Sequence, residues 1–191
     1  MISTIGVDLA GSPRNWTGLC YLDETLRCEV LRVHRDEEII RFIEKKSPDL
    51  VAVDAPLTLP RKNLAQPMRE CDRALMRMGL RPLPLTLRSM KLLTLRGIKL
   101  REKLESSGFR VIEVFPTGAQ KILGISTKRD GVKRLREDLQ RLGLKNLPKE
   151  IDGDILDAAT CAFIGILYLK GLCIEVGDPD EGMIVIPRKF K

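Results

Sequence analysis

Histidine is almost missing from this chain: His34 is the only one in 191 residues. A Ser-His-Asp or Cys-His nucleophile would have to run through it, and its place between Val33 and Arg35 at a strand end reads as a surface position. Aromatic residues make up only 4% of the chain, so Trp16 and Tyr21 read first as packing residues rather than base-stacking platforms. No Gly-rich loop ends in Lys-Ser or Lys-Thr, and no GxGxxG follows a strand, which excludes the common nucleotide-phosphate cradles. The turn from Gly6 to Ser12 offers backbone amides to a phosphate, a weak signal by itself. The five cysteines are odd in number and form no CxxC, so neither a disulfide framework nor a zinc knuckle is indicated. The apolar stretch from Ala158 to Leu169 is too short to span a bilayer, and the N-terminus enters a strand with no basic and apolar leader. These absences point to a cytoplasmic protein without a membrane partner, in a reducing compartment.

What is present is charge, unevenly placed. The net charge is +7, yet between Arg61 and Lys103 twelve Lys or Arg stand against Glu70, Asp72 and Glu102, a local +9 that leaves the rest of the chain at −2. A basic segment joined to an acidic remainder suits a polyanion held near cations; it equally suits amphipathic helices whose Lys and Arg stems cover apolar surface. The length fits one domain over residues 1–191, enough to bury roughly 70% of the unfolded surface.

Hydrophobic periodicity orders the elements. A first strand around Thr4–Asp8 is followed by strands over Thr17–Leu22 and Leu26–Val33, an antiparallel meander closed by the turn-rich Asp23-Glu24-Thr25. Helical spacing of Ile39, Ile40, Phe42 and Ile43 predicts a helix over Asp36–Lys46, hence a parallel crossover into the strand Leu50–Asp54. A proline-punctuated insertion, about residues 58–107, carries helices near Met68–Met78 and Leu87–Ser106. A strand bearing Glu113 comes next, then short helices near Ala119–Leu123 and Gly131–Leu142, a long helix from about Asp152, and a closing strand Met183–Pro187.

Carboxylates in apolar contexts are the informative residues. Asp157 lies inside a run that otherwise reads as a wholly buried helix, and an ionised carboxylate there needs a compensating cation or hydrogen-bond set. Asp154 shares its face three residues earlier; a first helical turn also favours an acid through the macrodipole, so two readings stand for it. Asp8, Asp54 and Glu113 each sit at or near the end of a short β-branched strand. If those strands are neighbours and the last helix crosses them, the five acids converge. Such a cluster requires cations, and an all-oxygen donor set selects hard ions, Mg2+ or Mn2+. Paired ions of that kind support phosphodiester hydrolysis.

The order and contexts of several short motifs carry a resemblance. Ile5-Gly6-Val7-Asp8-Leu9-Ala10-Gly11, Trp16-Thr17-Gly18, Val53-Asp54-Ala55-Pro56-Leu57 and Glu70-Cys71-Asp72-Arg73 are followed by Glu113-Val114-Phe115-Pro116-Thr117, Lys128-Arg129-Asp130-Gly131 with Arg134, and Asp154-Ile155-Leu156-Asp157-Ala158-Ala159. Over essentially its whole length the chain resembles the predicted nucleases called the domain of unknown function 429 family, which is similar to the ribonuclease H-like superfamily. The resemblance implies an α/β fold with a mixed five-stranded sheet, three antiparallel strands then two parallel ones, flanked by helices and carrying a helical basic insertion. It also implies metal ligation by Asp8, Asp54, Asp154 and Asp157, a catalytic contribution from Glu113, and a nucleic-acid partner of unspecified type. Arg73, Lys128, Arg129 and Arg134 are candidates for phosphate contact. Two other readings stay open: a non-catalytic nucleic-acid-binding or scaffold protein of the same fold, and a phosphotransferase of the actin-like or sugar-kinase type. The sequence does not specify an oligomeric state.

Overall fold

The computed structural model of the protein describes residues 2–61 and 66–188. Its first strand, β1 (Ser3–Asp8), alternates its side chains between two cores. Ile5 and Val7 face one core with Leu19, Val51 and Val53. Thr4, Gly6 and Asp8 fall on the other face, where Thr4 Oγ1 donates to the Ala162 carbonyl at 2.8 Å. β1 pairs antiparallel with β2 (Thr17–Asp23), which pairs antiparallel with β3 (Cys28–Val33). Helix α1 (Asp36–Lys46) buries Ile39, Ile40, Phe42 and Ile43 and returns the chain to β4 (Leu50–Asp54), parallel to β1. β5 (Val111–Glu113) adds in parallel beyond β4. The order β3-β2-β1-β4-β5, three antiparallel strands and then two parallel ones, is that of a ribonuclease H-like sheet.

Among the described residues two helices lie between β4 and β5, α2 (Glu70–Arg77) and α3 (Arg88–Ser106), each within two residues of its expected bounds. Residues 62–65 of the expected insertion, Lys62 among its basic residues, lie outside the described residues. α4 (Pro116–Leu123) begins earlier than its apolar spacing indicated because Pro116 occupies the first helical position, where a missing N–H costs nothing. α5 (Val132–Arg141) and α6 (Gly153–Leu169) follow. The chain then forms an antiparallel hairpin, β6 (Cys173–Asp178) with β7 (Gly182–Pro187). Only the second strand was expected; β6 is mostly exposed or half-buried and lacks a clear apolar alternation. None of the described helices is long and apolar enough to cross a membrane.

α6 positions the functional end of the fold. Ile155 through Leu167 are all buried, and the helix lies directly on β1 and β2 because those strands offer glycine at the crossing. A Cβ on Gly6 would stand 1.9 Å from the Ala158 carbonyl oxygen, and one on Gly18 would stand 2.6 Å from that of Asp154. Asp152 caps the helix, its Oδ1 accepting from Ile155 N at 2.9 Å.

Candidate metal centre

Register decides which acids meet. Asp8 and Asp54 are direct partners in the β1–β4 ladder, so their side chains project to the same face, the one that α6 covers. Asp157 sits one turn into α6 with a side chain 2% exposed. One oxygen from each of Asp8, Asp54 and Asp157 lies within 4.8 Å of the others. Glu113, expected beside them, is directed elsewhere: it pairs with Val53, not Asp54, and a one-residue offset in a strand reverses the face.

Glu113 instead binds Arg69. Its Oε1 accepts from Arg69 Nη2 at 2.6 Å, and its Oε2 accepts from Arg69 Nη1 and from Leu57 N, both at 2.8 Å. Asp72 takes the Nε side of the same guanidinium at 2.9 and 3.1 Å, and Thr58 Oγ1 accepts the remaining Nη1 hydrogen. All five guanidinium N–H groups are therefore used, in a side chain 1% exposed.

The carboxylate group is compensated differently. Lys128 Nζ lies 2.7 Å from Asp157 Oδ2, 3.4 Å from Asp154 Oδ1 and 3.7 Å from Asp8 Oδ2, on a side chain still 40% exposed. Asp154, expected as a ligand, stands outside the three-carboxylate group, nearly half exposed in the first turn of α6. Lys128, expected to contact phosphate, lies among the acids. Burial pushes Asp8 up to about 7, with Asp157 and Asp154 adding to the rise and Lys128 opposing it. Burial, then Asp8 and Asp157 beside it, hold the Asp54 carboxyl well above the usual range. Burial alone would lower the Lys128 ammonium, but the surrounding acids outweigh it and keep it charged.

Three carboxylates and one ammonium leave the group short of positive charge. Ligands about 2.1 Å from a magnesium ion stand roughly 3 to 4 Å apart, close to the observed spread, and the donors are all hard oxygens. Asp8, Asp54 and Asp157 can therefore hold a divalent cation. Gln120, which the sequence reading passed over, supports them: its Nε2 donates to Asp157 Oδ1 at 2.8 Å and to Thr160 Oγ1 at 3.0 Å. The signal available in the sequence is only an amide beside Ala119 and Ile122 on a short helix; that it is buried emerges from the structure.

Asp8, Lys128 and Asp154 also line an open cleft of about 450 Å³ together with Arg14 and Trp16. The Trp16 ring lies 3.7 Å from that of His34 and carries the Arg32 guanidinium at 4.6 Å. Arg129 and Arg134 are exposed on the turn after Lys128 and on α5. Arg73 is held by Glu70 at 3.0 Å and by the Met68 carbonyl at 2.9 Å. Much of the insertion's positive charge is likewise paired within the protein: Arg77 with Glu70, Arg96 with Asp36 and Arg101 with Glu105.

The family model described as "Protein of unknown function (DUF429)" matches residues 6–182. The chain belongs to this family. Among curated proteins no sequence match is found. A solved structure titled "Thermus thermophilus RuvC structure" is similar, with a TM-score of 0.49 and 16% identity over 89% of this chain and 97% of that one. Strand order and register carry the fold assignment without it.

Proposed function

We propose that this family member is a divalent-metal-dependent nuclease that hydrolyses phosphodiester bonds. The observation that carries the reading is the meeting of Asp8, Asp54 and Asp157 at the ends of adjacent parallel strands and on the helix packed over them. When bound, Mg2+ or Mn2+ supplies Lewis acidity to water and to the phosphodiester. Asp8, Asp54 and Asp157 are the proposed ligands, Gln120 fixes the Asp157 rotamer, and Asp154 stands at the edge of the cleft to complete the shell. Were an ion to take its place among the carboxylates, Lys128 would be free to pair with the phosphate, with the exposed Arg129 and Arg134 as further candidates for phosphate contact. Glu113 and Arg73 have other partners and are left out of the proposed chemistry. The helical insertion and the core sheet form one functional unit. Five free, buried cysteines fit a reducing compartment, in line with a cytoplasmic protein.

One observation favours a second reading. Lys128 already sits among the acids, which is what a non-catalytic descendant of the fold would use to neutralise them without metal. Cleavage separates the two. The purified chain with Mg2+ or Mn2+ should cut at least one of a panel of single-stranded, duplex, hybrid and branched DNA and RNA, and Asp157→Asn should cut none while keeping the wild-type melting temperature. A panel left intact by the wild type would overturn the nuclease reading.

A further inference from the structure

Asp54 belongs to two places at once. Besides the carboxylate group, it lines a second cavity, of about 200 Å³, whose described walls are mostly apolar: Pro82, Leu83 and Leu85 from the insertion, Met90 and Leu93 from α3, and Phe115 after β5. The polar part of the wall is Asp54 together with the Arg69, Asp72 and Glu113 cluster.

Size limits the occupant. A cavity of roughly 150 Å³ accepts one benzene, whereas sites that enclose a whole ligand start near 300 Å³. This cavity therefore takes one ring system, not a nucleotide. Charge limits it further. Arg69 has no N–H left to offer, and the two carboxylates of Asp72 and Glu113 outnumber that single guanidinium, so an anion is repelled. Asp72 and Glu113 each accept three hydrogen bonds of the roughly four that a carboxylate can take, leaving acceptor capacity for an N–H donor. The Phe115 ring supplies an aromatic surface. Leu83, 54% exposed, places the rim at the protein surface. A flat, uncharged ring bearing amino or imino hydrogens satisfies all of these conditions.

We propose that the cavity receives one unpaired nucleobase of the strand whose backbone lies at Asp8, Asp54 and Asp157. The proposal rests on the nuclease reading and narrows its substrate to nucleic acid that presents a base outside the helical stack, since a stacked and paired base cannot enter a pocket. Asp54, shared by cavity and carboxylate group, puts the base beside the backbone from which it hangs.

The test uses the full chain with Ca2+ in place of Mg2+, and a short duplex carrying one bulged 2-aminopurine against the same duplex fully paired, each as DNA and as RNA. The bulged form should bind about tenfold more tightly, the lower part of what a base gains on an aromatic platform, with a change in 2-aminopurine emission. Leu83→Trp, which narrows the rim at an exposed position, should remove that preference while melting at the wild-type temperature. Equal affinity for the two duplexes, unchanged emission, or a preference that survives in Leu83→Trp overturns the nucleobase cavity and leaves the nuclease reading standing. Failure to bind any of these duplexes also overturns the nucleobase cavity, whereas the nuclease reading falls only if the wider cleavage panel is left intact as well.

Discussion

Two sets of acids sit where β1, β4 and β5 end, and they are neutralised in opposite ways. Glu113 and Asp72 share Arg69, a planar donor whose five N–H groups are all engaged and whose side chain is 1% exposed. In the group of Asp8, Asp54 and Asp157, Asp8 and Asp157 share Lys128, a flexible point charge that stays 40% exposed and also meets Asp154. The guanidinium fork fixes two carboxylates in one geometry, whereas an ammonium on four rotatable bonds fixes none. The first cluster is a permanent joint between the insertion and the sheet. The second leaves its cation half open to solvent, as the proposed exchange of Lys128 for a divalent ion requires.

The strongest way to break this comparison is Arg69→Met. If Arg69 is the permanent joint, its loss strands two buried carboxylates and should lower the unfolding free energy by about 3–5 kcal/mol in urea titrations. Arg69→Lys should recover only part of that, since one ammonium cannot reproduce five directed bonds. A loss below about 1 kcal/mol for Arg69→Met would place the two clusters in the same class.

Titration sharpens the other half. Asp8 ionises near 3.8 in an unfolded chain and at about 7 in the folded one, because burial and its acidic neighbours favour the protonated form. The folded state thus binds this proton more tightly. Its contribution to stability is fully present below about pH 4 and is lost as pH rises through about 7, with an upper bound on the order of 4 kcal/mol. Without divalent ions, the stability difference between Asp8→Asn and wild type should therefore grow in the mutant's favour from pH 4 to pH 8. A difference that stays flat, or grows in the opposite direction, would mean that Lys128 already compensates the carboxylates in full.

Most of the sheet is written in local patterns. Short β-branched runs bounded by Gly or Pro mark β1, β4 and β5 as buried strands, helical spacing of Ile39, Ile40, Phe42 and Ile43 marks α1, and the long apolar run after Asp152 marks α6, buried all round. Asp157 stood out for a physical reason, an acid inside an apolar helix. Long-range register was not legible. Nothing local says that Glu113 pairs with Val53 rather than Asp54, and that single offset moves it from the face of Asp8 and Asp54 to Arg69. Arg69 itself resembled its neighbours Arg73 and Arg77, which are paired at the surface with Glu70. Lys128 likewise read as a surface cation; its place among the acids depends on how the turn before α5 meets the start of α6, where Gly153 leaves room for its stem.

The smallest expected effect bears most directly on exchangeability. Lys128 and a divalent ion compete for the same oxygens, so removing the lysine removes a competitor. Lys128→Met should therefore bind Mn2+ more tightly than wild type, by about five- to tenfold in calorimetric titration at pH 8, equivalent to roughly 1 kcal/mol. Ion-free stability should fall only modestly, because the ammonium is substantially exposed and its attraction is screened. Weaker or unchanged Mn2+ binding would show that Lys128 does not hold the place of the ion. Coupled with a loss of stability as large as that of Arg69→Met, it would make Lys128 a fixed structural partner and turn the balance toward the non-catalytic reading.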